Sequence, residues 1–301
     1  MSLKKKFQFK DRLIKGIDPD GQFKISVVKT TDVVKTAQQN HNLSLLNTVL
    51  LGKTLTASML LASELKGEER IQVRIEGSGP VGMLTAEANR VGEVRGYSAN
   101  PSAELDYSHP DTTIGDGLGA GILTVTKTLY NEAEPRRSSI ELVAGDINAD
   151  VAHFMAQSEQ ILSGFLLDVS LNDDGSVKHA GGVLVQRLPE AEEEKVEQLQ
   201  KTLTSLPPLS ELFENDYYID DIMEMATKPF SVKELDRQPV HFFCRCSPKR
   251  FKNALSMLGY EDLKEMEGES QEVVCNYCGT KMEISKEEIA EMAETAKAKL
   301  N

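Results

Sequence analysis

Four cysteines constrain this chain more than any other feature. They are the only ones in 301 residues and all fall within thirty-five: Cys244-x-Cys246, a gap of twenty-eight, then Cys275-x-x-Cys278. Thiolates one or two residues apart can reach a single ion from one tight turn. Two such pairs supply the tetrahedral four-sulfur shell that suits Zn²⁺, with Zn–S near 2.3 Å. Asn276 and Tyr277 between the second pair, with Gly279 after it, read as a metal knuckle, glycine letting the backbone turn around the ion. The surroundings agree. Pro248 to Leu258 predicts a helix with Phe251, Leu255 and Leu258 on one face, and Ser285 with Glu288 is a capping box opening a last helix through Ile289, Met292 and Ala296. A module this small holds little core, so a metal staple is expected. Other readings of the four thiols stay open at this level. Structural disulfides are disfavoured in a reducing compartment. A thioredoxin-like pair needs a strand before it and a helix after it, whereas Cys278 runs into GTKMEI. An iron–sulfur cluster uses the same four-cysteine set.

Composition narrows the setting. No run of about 18 apolar residues is evident, so no membrane span is expected. The basic start MSLKKKFQFK runs into Asp11 and Arg12 where a signal peptide needs an apolar stretch of about 7–15 residues. A cytoplasmic location follows as the expectation. The net charge of −13 is unevenly spread: residues 189–230 carry eleven acids and three bases, a net of −8. An acidic protein is a poor general ligand for nucleic acid, which needs clustered Lys and Arg.

Periodicity divides the chain. LSLLNTVLLGKTLTASMLLASELK (Leu43–Lys66) reads as a long, largely buried helix. Short β-rich runs follow at 70–77, 82–89, 92–98, 122–129, 138–145 and 164–171, punctuated by Gly, Pro, Asn or Asp. A helix is expected over Ile147–Leu162, with Phe154 and Ile161 on one side. Too few helices alternate with strands for a doubly wound fold, so the expectation is an α+β core with mostly antiparallel sheet. The glycines at 115, 117, 119 and 121 miss the dinucleotide spacing, and a β-branched run follows them; a turn or bulge is expected there. From Pro189 the sequence becomes charged and helix-prone, broken at Pro207-Pro208, with Leu209, Leu212, Phe213 and Tyr217 as an apolar stripe. Eleven acids in forty-two residues repel one another, so these helices are marginal without neighbours. Three parts result: a core over 1–188, an acidic helical linker over 189–232, and a small C-terminal four-cysteine zinc module over 233–301.

The chain resembles the redox-regulated holdase chaperones, the 33-kDa heat-shock family of bacteria. The resemblance rests on the C-x-C…C-x-x-C spacing together with EGSGPVGMLTAEAN (76–89), the glycine run at 115–119, FMAQSEQ (154–160), AGGVLVQRLPEA (180–191) and CNYCG (275–279). It implies an α+β core, a metastable linker and a zinc switch. In the reduced state Cys244, Cys246, Cys275 and Cys278 would bind one Zn²⁺ and hold the protein inactive. Oxidative stress would convert them to the neighbour disulfides Cys244–Cys246 and Cys275–Cys278 and release zinc. The linker would then unfold, and the protein, a homodimer on activation, would bind unfolding clients without ATP. Leu209, Leu212, Phe213, Tyr217 and Met223 are the residues expected to meet clients.

Such a protein is not an enzyme, and no nucleophile, base and orienting acid stand out in residues 1–188. Two other functions compete. A zinc-ribbon nucleic-acid binder would use the basic cluster Arg245, Lys249, Arg250 and Lys252; a thiol oxidoreductase would use the C-x-x-C. His241, three residues before Cys244, reads as a neighbour of the site rather than a ligand.

Overall fold

The computed structural model describes residues 10–143, 145–266 and 268–298; the basic run at 1–9 lies outside them. The chain forms two compact units, Met1–Phe243 and Cys244–Asn301.

The first unit holds two sheets. Strands β1 (Arg12–Ile17), β2 (Phe23–Lys29), β8 (Ser163–Leu171), β9 (Val177–Arg187) and β10 (Lys233–Pro239) make a five-stranded sheet in the order β10-β1-β2-β9-β8, antiparallel throughout. Strands β3 (Arg70–Gly77), β4 (Met83–Asn89), β5 (Glu93–Ser98), β6 (Gly121–Thr128), β7 (Arg136–Glu141) and β11 (His241–Phe242) make the other, ordered β11-β5-β4-β3-β6-β7. Its two-residue β11 pairs parallel with β5 and its other pairs are antiparallel. The expected α+β class with mostly antiparallel sheet is what is found.

One helix organises both sheets. After α1 (Thr31–His41), α2 (Leu45–Ala62) buries fifteen of its eighteen residues, in one core with Phe165 and Leu184 of one sheet and Val73 and Leu84 of the other. A helix apolar on every side must be surrounded. By length and composition α2 could cross a membrane, yet 83% of it is buried inside this unit. Its polar residues are satisfied locally: the Thr54, Thr56 and Ser58 hydroxyls each donate 2.8 Å bonds to the carbonyl four residues back. Ser44 caps its start, accepting from Asn47 N–H.

The glycine run forms a 3₁₀ turn (Ile114–Gly117) ahead of β6, as a turn rather than a phosphate loop. Its role is close packing against residues 77–81. Leu118 O accepts from Gly79 N–H at 2.7 Å, and a Cβ on Gly77 would stand 2.0 Å from Leu118 O. Two of the segments that carried the family resemblance therefore touch backbone to backbone. The helix expected over 147–162 is shorter, α3 (Ile147–Ser158), ending before Gln160 at φ 57.

The acidic segment packs as three helices: α4 (Glu193–Ser205), α5 (Leu209–Glu214) and α6 (Ile219–Thr227). The helix-prone stretch beyond Pro207-Pro208 is broken once more, at Asp216, which sits at φ 63. These helices cover the other face of the five-stranded sheet, burying Leu209, Leu212, Phe213 and Ile222 with Phe23, Ile25, Val27 and Val183. Because both faces of β2 are covered, it is buried nearly end to end. The unit therefore includes the segment 189–232 and also β10 and β11, ending at Phe243, whereas composition divides the chain at 188 and 232. Charge marks the solvated outer side of these helices; their inner side is apolar.

Asp11, just before β1, is buried, and its Oδ2 accepts from Val33 N–H at 2.8 Å in the first turn of α1. Burial raises its pKa from 3.8 to about 7, against the lowering effect of that hydrogen bond. The folded state thus binds this proton more tightly than the unfolded state. Stability from this site is greatest below about pH 4, declines as pH rises to about 7, and is level above. Asp11→Asn keeps an acceptor for Val33 and removes the charge. It should stabilise the fold above pH 7 by a few kcal/mol, on the order of 4, with no gain near pH 4. Denaturant midpoints across pH check this, and an equal effect at both ends would refute it.

Candidate metal centre

The second unit is a hairpin with helices. Strands β12 (Gln271–Val274) and β13 (Lys281–Ile284) pair antiparallel, Val274 opposite Lys281, and their connection carries Cys275 and Cys278. Gly279 N–H donates to Cys275 O at 2.8 Å, Cys275 N–H to Thr280 O at 3.0 Å, and Gly279 takes φ 68. That left-handed turn is the knuckle the sequence predicted. Around it lie α7 (Pro248–Leu255), α8 (Tyr260–Glu265) and α9 (Lys286–Ala298). Ser247 caps α7, and the Ser285–Glu288 box closes reciprocally at α9: Ser285 N–H to Glu288 at 3.1 Å, Glu288 N–H to Ser285 Oγ at 3.3 Å. Lys252 pairs with Glu288, tying α7 to α9.

The four sulfurs converge, with every Sγ within 4.8 Å of the others. Cys244 and Cys275 stand 3.7 Å apart, Cys246 and Cys278 3.4 Å. A tetrahedron with metal–sulfur bonds of about 2.3 Å has edges of about 3.8 Å. A disulfide would need about 2.05 Å, and none of the four cysteines is disulfide-bonded. The donor set therefore fits a tetrahedral soft-ligand metal. Burial pushes the Cys246 thiol up, as does sharing protons with Cys278 and Cys244; burial raises Cys275 too. Burial also acts to raise Cys278, but hydrogen bonds from the Thr280 hydroxyl and backbone outweigh it and bring it down to about 7. The Thr280 hydroxyl lies 3.2 Å from that sulfur, a contact that spacing arguments missed. A bound cation would favour the thiolate form of all four.

This unit has little else to hold it. Among its described residues the buried ones are Leu263, Cys275, Cys278, Ile284, Ile289 and Ala293. Two of these six are thiols of the cluster, the condition under which small folds depend on a staple. His241 lies in β11 with its ring 5.9 Å from Phe243 and is not one of the clustered ligands. The proposed client-facing residues divide: Leu209, Leu212, Phe213 and Met223 are buried under α5 and α6, while Tyr217 is 43% exposed.

Comparison with known proteins agrees with this architecture. The family described as Hsp33 protein matches residues 11–285. The chain belongs to the Hsp33 family. Among its relatives, the 33 kDa chaperonin of Desulforamulus reducens is 38% identical over 283 residues, spanning 93% of this chain and 96% of its own length. The 33 kDa chaperonin of a Geobacillus strain is 33% identical over 294 residues, with 96% and 99% covered. The crystal structure of the 33 kDa chaperonin (heat shock protein 33 homologue) of Thermotoga maritima superposes with a TM-score of 0.89 at 33% identity, covering 96% of this chain and 99% of that one. This protein is thus an Hsp33-family chaperone, and the four-thiol cluster is its candidate metal centre.

Proposed function

We propose that this protein is a redox-regulated, ATP-independent holdase, inactive while Cys244, Cys246, Cys275 and Cys278 hold Zn²⁺ and active once they are oxidised. The observation that carries this reading is the four-thiol cluster in a unit with six buried side chains, next in the chain to acidic helices that cover an apolar sheet face. Bound zinc supplies cross-linking energy, about 10–16 kcal/mol in structural sites, and that energy is also folding energy. Peroxide takes two electrons from each pair of thiolates: one S–S bond forms, the O–O bond breaks, and with two protons from solvent the peroxide becomes two waters. Two such steps consume all four ligands, and the cluster can no longer retain the ion. The pairing Cys244–Cys246 and Cys275–Cys278 follows the family resemblance. It closes loops of three or four residues, which constrain the chain little. Oxidation thus removes a large stabilisation and returns a small one.

The path to the linker runs along the chain. Cys244 follows β11, whose hold on β5 is two residues long, and β10 then leads back to α6. Melting the second unit removes the anchor beyond β11 and loosens the C-terminal end of the acidic segment. Its three functional parts are then core, linker and switch, as composition divided them. Leu209, Leu212, Phe213, Tyr217 and Met223 become available to unfolding clients, while the charge on residues 189–230 keeps the loaded complex soluble. The active form associates as a dimer and works in the cytosol, where thiols start reduced. Catalysis is not part of this reading.

One paired experiment tests it. Zinc release is followed with a chromogenic chelator during peroxide treatment, and suppression of client aggregation is read in the same sample. Both should rise together, suppression following release. Zinc leaving with no gain in suppression would sink the reading. Salt-dependent RNA or DNA binding in both redox states would favour the basic cluster as a nucleic-acid site instead, although Lys252 of that cluster is engaged by Glu288.

A further inference from the structure

Of the three acidic helices α4 is the most loosely seated. Leu199 is the single buried residue of its thirteen, against three of six in α5 and five of nine in α6. Beneath it lies a cavity of about 580 Å³. Its origin is a missing side chain: Gly164 of β8 faces the helix, and a Cβ there would meet only Leu203, at 3.4 Å. The walls are mostly apolar, with Phe23, Leu166, Val185, Leu199, Leu203 and Leu206 among them, and Ser163, Gln200 and Thr204 as the uncharged polar residues. From Val196 to Leu206 the cavity follows about 15 Å of helix axis. Its size falls in the range of small-molecule sites.

Arg187 is the one charged residue lining this cavity. It also lines a neighbouring cavity of about 560 Å³, which shares Leu162 with the first. Leu162 is 56% exposed, so the two open to solvent there. The guanidinium is engaged weakly: Glu193 at 3.0 Å is 72% exposed, and Ala191 O accepts a bond of 3.2 Å. A carboxylate arriving from solvent can take the place of Glu193 on the same guanidinium nitrogen.

We infer that the seam between α4 and β8 binds a long-chain carboxylate, its alkyl chain in the apolar cavity and its head on Arg187. An apolar slot with one cation at its mouth determines both the ligand class and its orientation. Resting on the proposed switch, the inference has a regulatory consequence. A ligand bridging α4 and the sheet binds only the closed linker, favouring it about 100-fold at a ligand concentration 100 times Kd, and so delays activation.

Dodecanoate, kept below its micellar concentration, is titrated into the reduced, metal-loaded full chain and followed by calorimetry and amide shifts. One equivalent should bind saturably, with shifts in α4 and β8. Gly164→Leu, which fills the slot, and Arg187→Gln should each weaken binding tenfold or more, while Arg187→Lys retains most of it. Leu203→Phe fills the same space from the helix side if the strand rejects leucine. Dodecyltrimethylammonium should not compete. Non-saturable uptake, equal binding of the ammonium amphiphile, or full affinity in the slot-filling variants overturns the site. In a second arm, dodecanoate should lengthen the lag between zinc release and aggregation suppression. Binding without a longer lag overturns the regulatory role. Absence of suppression with and without ligand counts against the switch, not against the site.

Discussion

Removing the metal under reducing conditions should unfold residues 244–298 and leave the two large sheets standing. The second unit buries four apolar side chains besides two of its own thiols, far too few to offset the entropy of ordering its chain. Its remaining fastenings include the short hairpin, the Ser247 and Ser285 caps and the Lys252–Glu288 and Lys281–Glu272 pairs, the caps and exposed pairs each worth about 1 kcal/mol or less. A structural zinc contributes about ten times as much. Cys275→Ser should act like chelation, since a hydroxyl is a poor replacement for a buried thiolate ligand. Amide spectra before and after a strong chelator decide the matter. Signals of β12, β13 and α9 should collapse towards random-coil positions while those of β2, β9 and α2 stay. A second unit that keeps its dispersed signals without metal would remove the basis for any zinc-governed switch.

Lys195→Met should release α4 and confer aggregation suppression on fully reduced protein. Lys195 is one of three basic residues in the acidic segment, and it is nearly buried, its side chain 12% exposed. Its ammonium lies 2.9 Å from both oxygens of Asp18, itself 3% exposed, and 4.9 Å from the Phe230 ring centroid. Removing one partner of such a pair strands the other charge and costs about 3–5 kcal/mol. α4 has little to offset that loss, with only Leu199 buried. Hydrogen exchange of α4 amides should speed up by two orders of magnitude or more, without any change in thiol or zinc content. Adding Asp18→Asn should recover part of the loss, because the stranded carboxylate is gone. Unchanged α4 protection in the single variant would show that the helix is held by something other than this pair.

Much of the candidate metal centre was legible because its geometry is local. C-x-C and C-x-x-C each present two ligands from one turn, Gly279 signals the left-handed residue, and Ser285 with Glu288 signals the cap. Local signals also located α2 and the strands β3 to β6. The five-stranded sheet is less legible: sequence pattern marks β8 and leaves β1, β2, β9 and β10 unmarked. In β2 (FKISVVK) apolar and polar residues alternate only from Phe23 to Val27 and the pattern breaks at Val28, so the period-two signal is short even though both faces are covered. The Thr280 hydroxyl at Cys278 and the Asp18–Lys195 pair were missed for related reasons. The first turns on a rotamer, the second joins positions 177 residues apart.

The sequence by itself determined that four thiols are paired at spacings that suit one ion, that the central helix is apolar all round, and that residues 189–230 concentrate negative charge. Each of these is a property of spacing or composition within a short window. Only the tertiary structure decided that the charged segment is half apolar lining, sealed onto a sheet by Leu212, Phe213 and Ile222 and latched by a nearly buried lysine. It also decided that the compact boundary falls at Phe243, next to the first cysteine. The reason is physical: net charge records which side of a helix meets water, whereas packing depends on what the chain brings up against the other side.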